Sequence, residues 1–139
     1  MVTVQKTTRK DIKKFSDEEW KIADMEHFGR PSNWKTKKFT YKAVEGGEVV
    51  GILMVEYEVG VLYIGDLLVS HKHRHKGIGK ELMEKAEELA KELKAHKIYL
   101  ETGKDWEAEK FYTALGFKPE GILKNHNMHA DFVIYSKFI

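Results

Sequence analysis

The stretch most able to do chemistry runs from residue 67 to 83, where an apolar segment is followed by a basic loop and two glycines. Gly77 and Gly79 flank one isoleucine where a long helical pattern begins. Glycine tolerates positive φ and has no Cβ, so successive backbone N–H groups at such a turn can point at one anion. The helix N-terminus and the cationic side chains between Arg74 and Lys80 add positive charge. The spacing therefore predicts a loop that binds phosphate or pyrophosphate.

Two common phosphate-binding motifs do not match this loop. A P-loop requires GxxxxGK[ST], and a dinucleotide fingerprint requires a third glycine where Leu82 stands. Glu101 does end a predicted strand about twenty residues downstream, where a dinucleotide fold keeps a ribose-binding carboxylate. However, seven residues separate the preceding strand from the glycines, and few βα units remain. Dinucleotide binding is therefore disfavoured.

Three histidines, His71, His73 and His75, alternate along the same basic loop. An extended segment would place them on one side, which is a pattern that can bind a metal ion. Lys72 and Arg74 stand between them, and the expected anion would lie alongside. We therefore expect no metal site here.

The N-terminal part of the chain is predicted to contain a strand over residues 2–6 and two helices over roughly 8–15 and 17–28. Ser16 with a glutamate three residues later forms a capping box at the start of the second helix. Gly29 is the expected end of that helix.

The remainder of the chain alternates strand and helix patterns. Gly46-Gly47 is a two-residue hairpin signal between two strands. The predicted elements are strands at 38–45, 48–58 and 61–69, a helix at 80–95, a strand at 97–101, a helix at 105–115, and strands at 117–123 and 131–138. This order predicts a single α/β (α+β) domain over residues 1–139, with a mixed, mostly antiparallel sheet flanked by helices.

Composition excludes several classes of protein. The chain has 139 residues and no cysteine, which excludes a disulfide scaffold, a thiolate metal site and a cysteine nucleophile. Its net charge is only +2, which disfavours a dedicated nucleic-acid binder. No apolar run is long enough to span a membrane, and the N-terminus lacks the apolar stretch of a signal peptide. We expect a cytoplasmic protein that acts without nucleic acid or membrane, as a monomer or homodimer.

Three segments together resemble one known family. The pattern Arg74-x-x-Gly77-x-Gly79 resembles the signature (Q/R)xxGx(G/A) of the GNAT superfamily of N-acetyltransferases. Residues 108–117 resemble the family's A-x-x-x-Y-x-x-x-G-F segment. Residues 121–131, GILKNHNMHAD, are similar to the closing hairpin of the branch that includes ribosomal-protein-alanine acetyltransferases. The order and spacing of the three segments agree with the family.

The resemblance covers about residues 38–139 and implies an acyl-CoA N-acyltransferase fold with acetyl-CoA as co-substrate. In this family the fourth strand diverges from the fifth and offers backbone groups to the pantetheine arm, and the glycine loop binds the pyrophosphate. The residues that the resemblance implies for coenzyme binding are Leu67, Leu68, Val69, Arg74, His75, Lys76, Gly77, Ile78, Gly79, Lys80, Asp105 and Ala108.

The resemblance also implies two catalytic residues. Tyr112 matches the family's tyrosine near the thioester sulfur, and a tyrosine stays protonated at neutral pH, so it can protonate the departing thiolate. Glu101 matches the base of the ribosomal branch. Glu56, Glu58 and Asp66 on neighbouring strands are substitutes for the same task.

The chain has no cysteine that could form an acyl-enzyme intermediate, and no Ser/His/Asp pattern is recognisable. The simplest mechanism is therefore direct attack of the amine on the thioester while both substrates are bound in a ternary complex. A backbone N–H near Val69 is a candidate for binding the developing oxyanion. His126 and His129 are expected to line the hairpin loop near the acceptor. The aromatic candidates for a wall of the acceptor site lie in the N-terminal region and are Trp20, His27, Phe28 and Trp34.

The chain is thus expected to transfer acetyl from acetyl-CoA to a primary amine, either a protein N-terminus or a small amine. One alternative is a non-catalytic acyl-CoA-binding or regulatory module of the same fold. A second alternative is a nucleic-acid binder that uses the basic loop.

Overall fold

The computed structural model describes all 139 residues and contains three α-helices, six β-strands and two 3₁₀ turns. The helices are α1 (Arg9–Phe28), α2 (Ile78–Glu92) and α3 (Ala108–Ala114). The strands are β1 (Lys37–Glu45), β2 (Glu48–Glu58), β3 (Val61–Val69), β4 (Lys97–Gly103), β5 (Lys118–Leu123) and β6 (Phe132–Phe138). The chain divides into two compact units, Met1–Trp34 and Lys35–Ile139.

In the first unit, α1 is one helix of 20 residues, so the prediction of two helices was wrong. Ser16 lies inside this helix, because no glycine or proline flanks it. An ion pair of 2.6 Å between Lys13 and Asp17 also spans the turn that contains Ser16 and supports continuous helix there. Gly29 ends the helix with φ of 72° and donates to the Met25 carbonyl, as predicted. The predicted strand over 2–6 was also wrong, because these residues pair with no other strand.

The segment after α1 folds back on the helix within this unit. Asp24 is buried, and its carboxylate accepts hydrogen bonds from the Ser32 backbone at 3.1 Å and from Trp34 Nε1 at 3.0 Å. Trp34 also stacks at a tilt against Trp20 and Phe28, with ring centroids 6.3 and 6.2 Å apart.

The second unit is a six-stranded sheet in the order β1-β2-β3-β4-β6-β5. Every neighbouring pair is antiparallel except β3 and β4. The predicted mixed, mostly antiparallel α/β fold is therefore confirmed. Gly46 and Gly47 make the hairpin turn with φ of 58° and 78°.

The core of this unit lies between the sheet and the apolar face of α2. The helix buries Leu82, Met83, Ala86, Leu89 and Ala90. This set repeats at helical spacing, which explains why the helix was predicted from the sequence alone. The largest fully buried side chains are Phe117, Leu53, Leu62, Met83, Ile98, Leu100 and Val55.

Strands β3 and β4 pair only over their first residues. The pairs are Val61 with Lys97, Leu62 with Ile98, and Tyr63 with Tyr99. Beyond this point a bulge at Gly65 interrupts the register between β3 and β2. Because a bulge bends its strand and raises its twist, β3 diverges from β4 and the sheet opens.

Candidate active site

The opening between β3 and β4 continues into a cleft of about 1100 Å³. Its walls come from β3, β4, the N-terminal turn of α2 and the segment 106–112. All the predicted coenzyme-binding residues except Lys76 and Asp105 line this cleft. Lys76 is exposed in the basic loop, and Asp105 lies in the turn before α3, where it borders a smaller surface pocket.

The strand wall of the cleft is formed by Leu67, Leu68 and Val69. On their other side these residues pair with β2, Val69 with Gly51 and Leu68 with Ile52. In an antiparallel pair, alternate residues direct their backbone groups away from the partner strand. Since β4 has diverged, those groups face the cleft, and this is the arrangement that the resemblance implies for the pantetheine arm.

The N-terminus of α2 provides unpaired backbone donors. Gly77 is the N-cap residue with φ of 83°, and no side chain caps the first turn. The first intrahelical bond to Gly77 comes from the Glu81 N–H at 3.1 Å, so the earlier N–H groups are left without a helical partner. Arg74, His75 and Lys80 line the cleft around them. The free backbone N–H groups and the positive charge around them fit a pyrophosphate group.

Two further observations at this end of the cleft fit a coenzyme. A Cβ added at Gly79 would lie 3.3 Å from the Phe111 ring, so glycine permits close packing of α2 against α3. His73 lines the cleft, and its Nδ1 is buried without a hydrogen-bond partner. The sequence pattern gives His73 no role beyond the disfavoured metal site. Nowhere in the structure do three or more His, Asp or Glu side chains form a group that could hold a metal ion.

Tyr112 lies in α3 and lines the cleft with only 8% of its surface exposed. Burial raises the pKa of Tyr112 to about 12. Its ring packs edge-on against Phe111 and Phe117, with centroids 5.1 and 6.0 Å apart. Nearby Tyr135 has its hydroxyl bound to Glu109 at 2.7 Å, whereas the Tyr112 hydroxyl makes no such side-chain bond. Tyr112 is thus a largely buried phenol with a raised pKa that lines the cleft.

Glu101 lines the same cleft, with 26% of its side chain exposed. Its Oε2 lies 3.7 Å from His126 Nε2. Of the predicted substitutes, Glu56 pairs with Lys38, and Glu58 accepts a bond from Thr36. Only Asp66 among these substitutes also lines the cleft.

Near Glu101 lies an aromatic wall that no sequence motif predicts. Trp106 and Phe132 line the cleft, and their ring centroids are 5.5 Å apart. Phe132 in turn packs against His126 at 5.5 Å. The available signal was Trp106, three residues after the end of the strand that carries Glu101; the sequence assigned it to a helix at 105–115, whereas α3 begins only at Ala108.

The other predicted acceptor-side residues belong to the β5–β6 hairpin and to the first unit. His129 accompanies Asn125 within the hairpin, with Nδ1 and Oδ1 2.9 Å apart, and does not line the cleft. Trp20, His27, Phe28 and Trp34 all belong to the first unit.

None of the three α-helices has the length and apolar character needed to cross a bilayer.

Comparison with known proteins agrees with this geometry. The model of the acetyltransferase (GNAT) family matches residues 6–117. No curated protein sequence matches the chain.

Three solved structures illustrate the likeness of fold. An acetyltransferase from Bacillus cereus ATCC 14579 superposes with a TM-score of 0.77 at 19% identity, over 99% of this chain and 98% of that one. The ribosomal-protein-S18-alanine N-acetyltransferase from Escherichia coli gives 0.68 at 17% identity, over 73% and 69%. A Bacillus anthracis structure assigned as a streptothricin acetyltransferase, solved in complex with acetyl coenzyme A, gives 0.68 at 24% identity, over 82% and 66%. The cleft of the open sheet and the family match lead to one conclusion: the chain belongs to the GNAT family of acetyltransferases.

Proposed function

We propose that the protein transfers the acetyl group of acetyl-CoA to a primary amine by direct attack in a ternary complex. Acetyl-CoA is the co-substrate, and when bound it supplies an acetyl group activated as a thioester. The observation that carries the proposal is that Tyr112, Glu101 and the Gly77–Gly79 turn line one cleft. The residues proposed as acid, base and anion site therefore line the same cleft.

The phosphate end of the cleft has the task of binding and orientation. Backbone N–H groups of the α2 N-terminus, with Arg74 and Lys80, would hold the pyrophosphate. The free edge of β3 would hold the pantetheine amides. A backbone N–H near Val69 would donate to the developing oxyanion. Fixing both reactants in this way accounts for a large part of the acceleration in direct transfer.

The proton transfers are assigned to Tyr112 and Glu101. As the C–S bond breaks, Tyr112 donates its phenolic proton to the departing thiolate, and the phenolate takes up the proton that the attacking nitrogen loses as the amide forms. The pKa of Tyr112, about 12, keeps the phenol protonated at neutral pH. Glu101 accepts a proton from the incoming ammonium, which must be neutral to attack. Trp106 and Phe132 form an apolar wall near Glu101, suited to the carbon skeleton of an amine.

The names of two similar proteins support the two kinds of acceptor that we propose. The Escherichia coli protein is named for an alanine of ribosomal protein S18, and the Bacillus anthracis protein is named as a streptothricin acetyltransferase. We therefore propose two kinds of acceptor for this chain, a protein N-terminus and a small amine. We also propose that residues 1–139 act as one acetyltransferase domain, because the family match extends across both units.

A thiol-release assay with acetyl-CoA and a panel of amines tests the proposal. The panel should contain N-terminal peptides, diamines and polyamines, and aminoglycosides. We expect turnover with at least one amine, and a mass increase of one acetyl group on that amine. CoA binding without turnover on any amine would instead support a non-catalytic acyl-CoA-binding module.

A further inference from the structure

His126 contacts the carboxylate of Glu101. Its Nε2 lies 3.7 Å from Glu101 Oε2, and the ion pairs of Lys13, Lys38, Lys85, Lys97 and Lys137 are made with other carboxylates. His126 does not line the cleft, and 39% of its side chain is exposed. Glu101 therefore lines the cleft, and His126 contacts Glu101 from a position that is open to solvent.

The hairpin between β5 and β6 holds this histidine in place. The His126 N–H donates to the Ala130 carbonyl at 2.8 Å, and the ring packs edge-on against Phe132. The Asn125 N–H donates to the Asp131 carboxylate at 2.8 Å. Asn125, Met128 and His129 all have positive φ, of 48°, 55° and 63°. Such strain in residues other than glycine persists only where the surrounding bonds impose it, and it is concentrated at functional sites.

We propose that His126 is a positioning residue that relays the proton of the acceptor amine from Glu101 to solvent. This inference rests on the proposed function. In the first step an N–H bond of the ammonium breaks, its electron pair stays on nitrogen, and an O–H bond forms on Glu101. In the second step that O–H bond breaks and an N–H bond forms at His126 Nε2. Water then removes the proton, so Glu101 is an anion again before the next turnover and nothing is oxidised or reduced.

The separation of 3.7 Å is longer than a hydrogen bond, and catalytic hydrogen bonds are often long before the substrate binds. A small rotation of either side chain, or one bridging water, suffices for the transfer.

The other groups around Glu101 leave this role to His126. Tyr63 on β3 and Tyr99 on β4 interact electrostatically with Glu101, but burial first and then this carboxylate raise the pKa of both phenols, so both are neutral near pH 7. Asp66 on β3 and Glu56 and Glu58 on β2 are carboxylates and add no cation. On the hairpin, His129 is engaged with Asn125. Histidine is the side chain that ordinarily exchanges protons near neutral pH.

NMR of the imidazole rings tests the contact without any turnover. We expect the ring resonances of His126 to shift in Glu101→Gln, because the carboxylate 3.7 Å from its Nε2 is replaced by a neutral amide. His129 serves as the internal control, because its ring is bound to Asn125, and its resonances should stay in place. Unchanged His126 resonances would overturn the relay.

Kinetics of His126→Ala then test the relay itself, with His129→Ala as the matched control on the same hairpin. We expect kcat/KM for the amine to fall roughly tenfold or more, with the Kd of CoA unchanged. Added imidazole should restore much of the rate, because the site is open to solvent. No loss of rate, or a loss that imidazole does not restore, would contradict the relay. No turnover by the unmodified protein on any amine would contradict the proposed function instead, while the NMR comparison would still report the contact of His126 with Glu101.

Discussion

Tyr63 and Tyr99 form the last residue pair between β3 and β4, and their rings lie 4.8 Å apart where the two strands separate. Before this pair the sheet is continuous. After it, β3 provides the wall with Leu67 to Val69, and β4 provides Glu101. The tyrosine pair thus marks the closed end of the opening that both proposed substrates must share.

The conformation of Gly77 leads to a first prediction. Gly77→Val should abolish CoA binding while the protein stays folded. A left-handed conformation costs about 1–2 kcal/mol for a residue with a Cβ. The backbone would relax toward negative φ and turn the N–H groups of the α2 N-terminus away from the cleft. Calorimetric titration with CoA and circular dichroism measure the two effects.

Gly46→Val is the matched control for that change. Gly46 also has positive φ, of 58°, and at both glycines an added Cβ meets nothing within 4 Å. It lies in the β1–β2 hairpin and does not line the cleft. The control should show a similar loss of stability with normal CoA affinity. Unchanged CoA affinity in Gly77→Val would contradict the assignment of the phosphate loop.

Much of the second unit could be predicted from the sequence because its signals are local. The glycine pair at 46–47, the apolar repeat of α2 and the basic loop before Gly77 each depend on near neighbours in the chain. The motifs then placed Tyr112 and Glu101, and the structure brings both to one cleft. Their catalytic roles stay predictions.

The failures arise where one local signal competes with its neighbours or where distant contacts decide the structure. Ser16 carries a capping signal, yet continuous helix formation across it is favoured by its neighbours. Residues 2–6 have the composition of a strand but pair with no other strand. The wall of Trp106 and Phe132 joins residues from a turn and a later strand, and no periodic pattern links the two.

The burial of Tyr112 leads to a second prediction, on stability in alkali. Its pKa is about 12 in the folded protein and about 10 in the unfolded chain. Its contribution to stability is fully present below pH 10 and is lost as the pH rises to 12, because the unfolded chain ionises first. We expect the unfolding free energy to fall over this interval by about 2–3 kcal/mol more than in Tyr112→Phe, which cannot ionise. Tyr63, Tyr99 and Tyr135 contribute equally to both proteins, so urea unfolding at pH 9 and 12 isolates Tyr112.

The same variant tests the proposed acid. Tyr112→Phe should lower kcat by roughly a hundredfold, the lower range for loss of a general acid, and should leave the Kd of CoA within about threefold. The ring and its packing against Phe111 and Phe117 are kept, so a folding defect is not expected. Steady-state kinetics and calorimetry at pH 7.5 give both values. Equal turnover in the two proteins would mean that another group or water protonates the thiolate.

A third prediction separates the two carboxylates that line the cleft. Glu101→Gln should lower kcat/KM for the amine by roughly 10²-fold or more, because the amide cannot accept the ammonium proton. Asp66→Asn, the matched change, should stay within a few-fold of the unmodified protein. Both should bind CoA normally, which calorimetry will show. The reverse order of effects would transfer the role of base to Asp66.

The fourth prediction concerns Gly103, which ends β4 beside the aromatic wall. A Cβ added there would overlap the indole of Trp106, so Gly103→Ala must displace that ring from its packing against Phe132. Since Trp106 lies at the Glu101 end of the cleft, we expect KM for the amine to rise several-fold, with little change in the Kd of CoA. Tryptophan fluorescence reports the displacement. Trp106→Ala should give a similar rise in KM, and adding Gly103→Ala to that variant should have no further effect, because the two changes act on one ring. If Gly103→Ala instead weakened CoA binding and spared the KM for the amine, Trp106 would belong to the coenzyme side of the cleft.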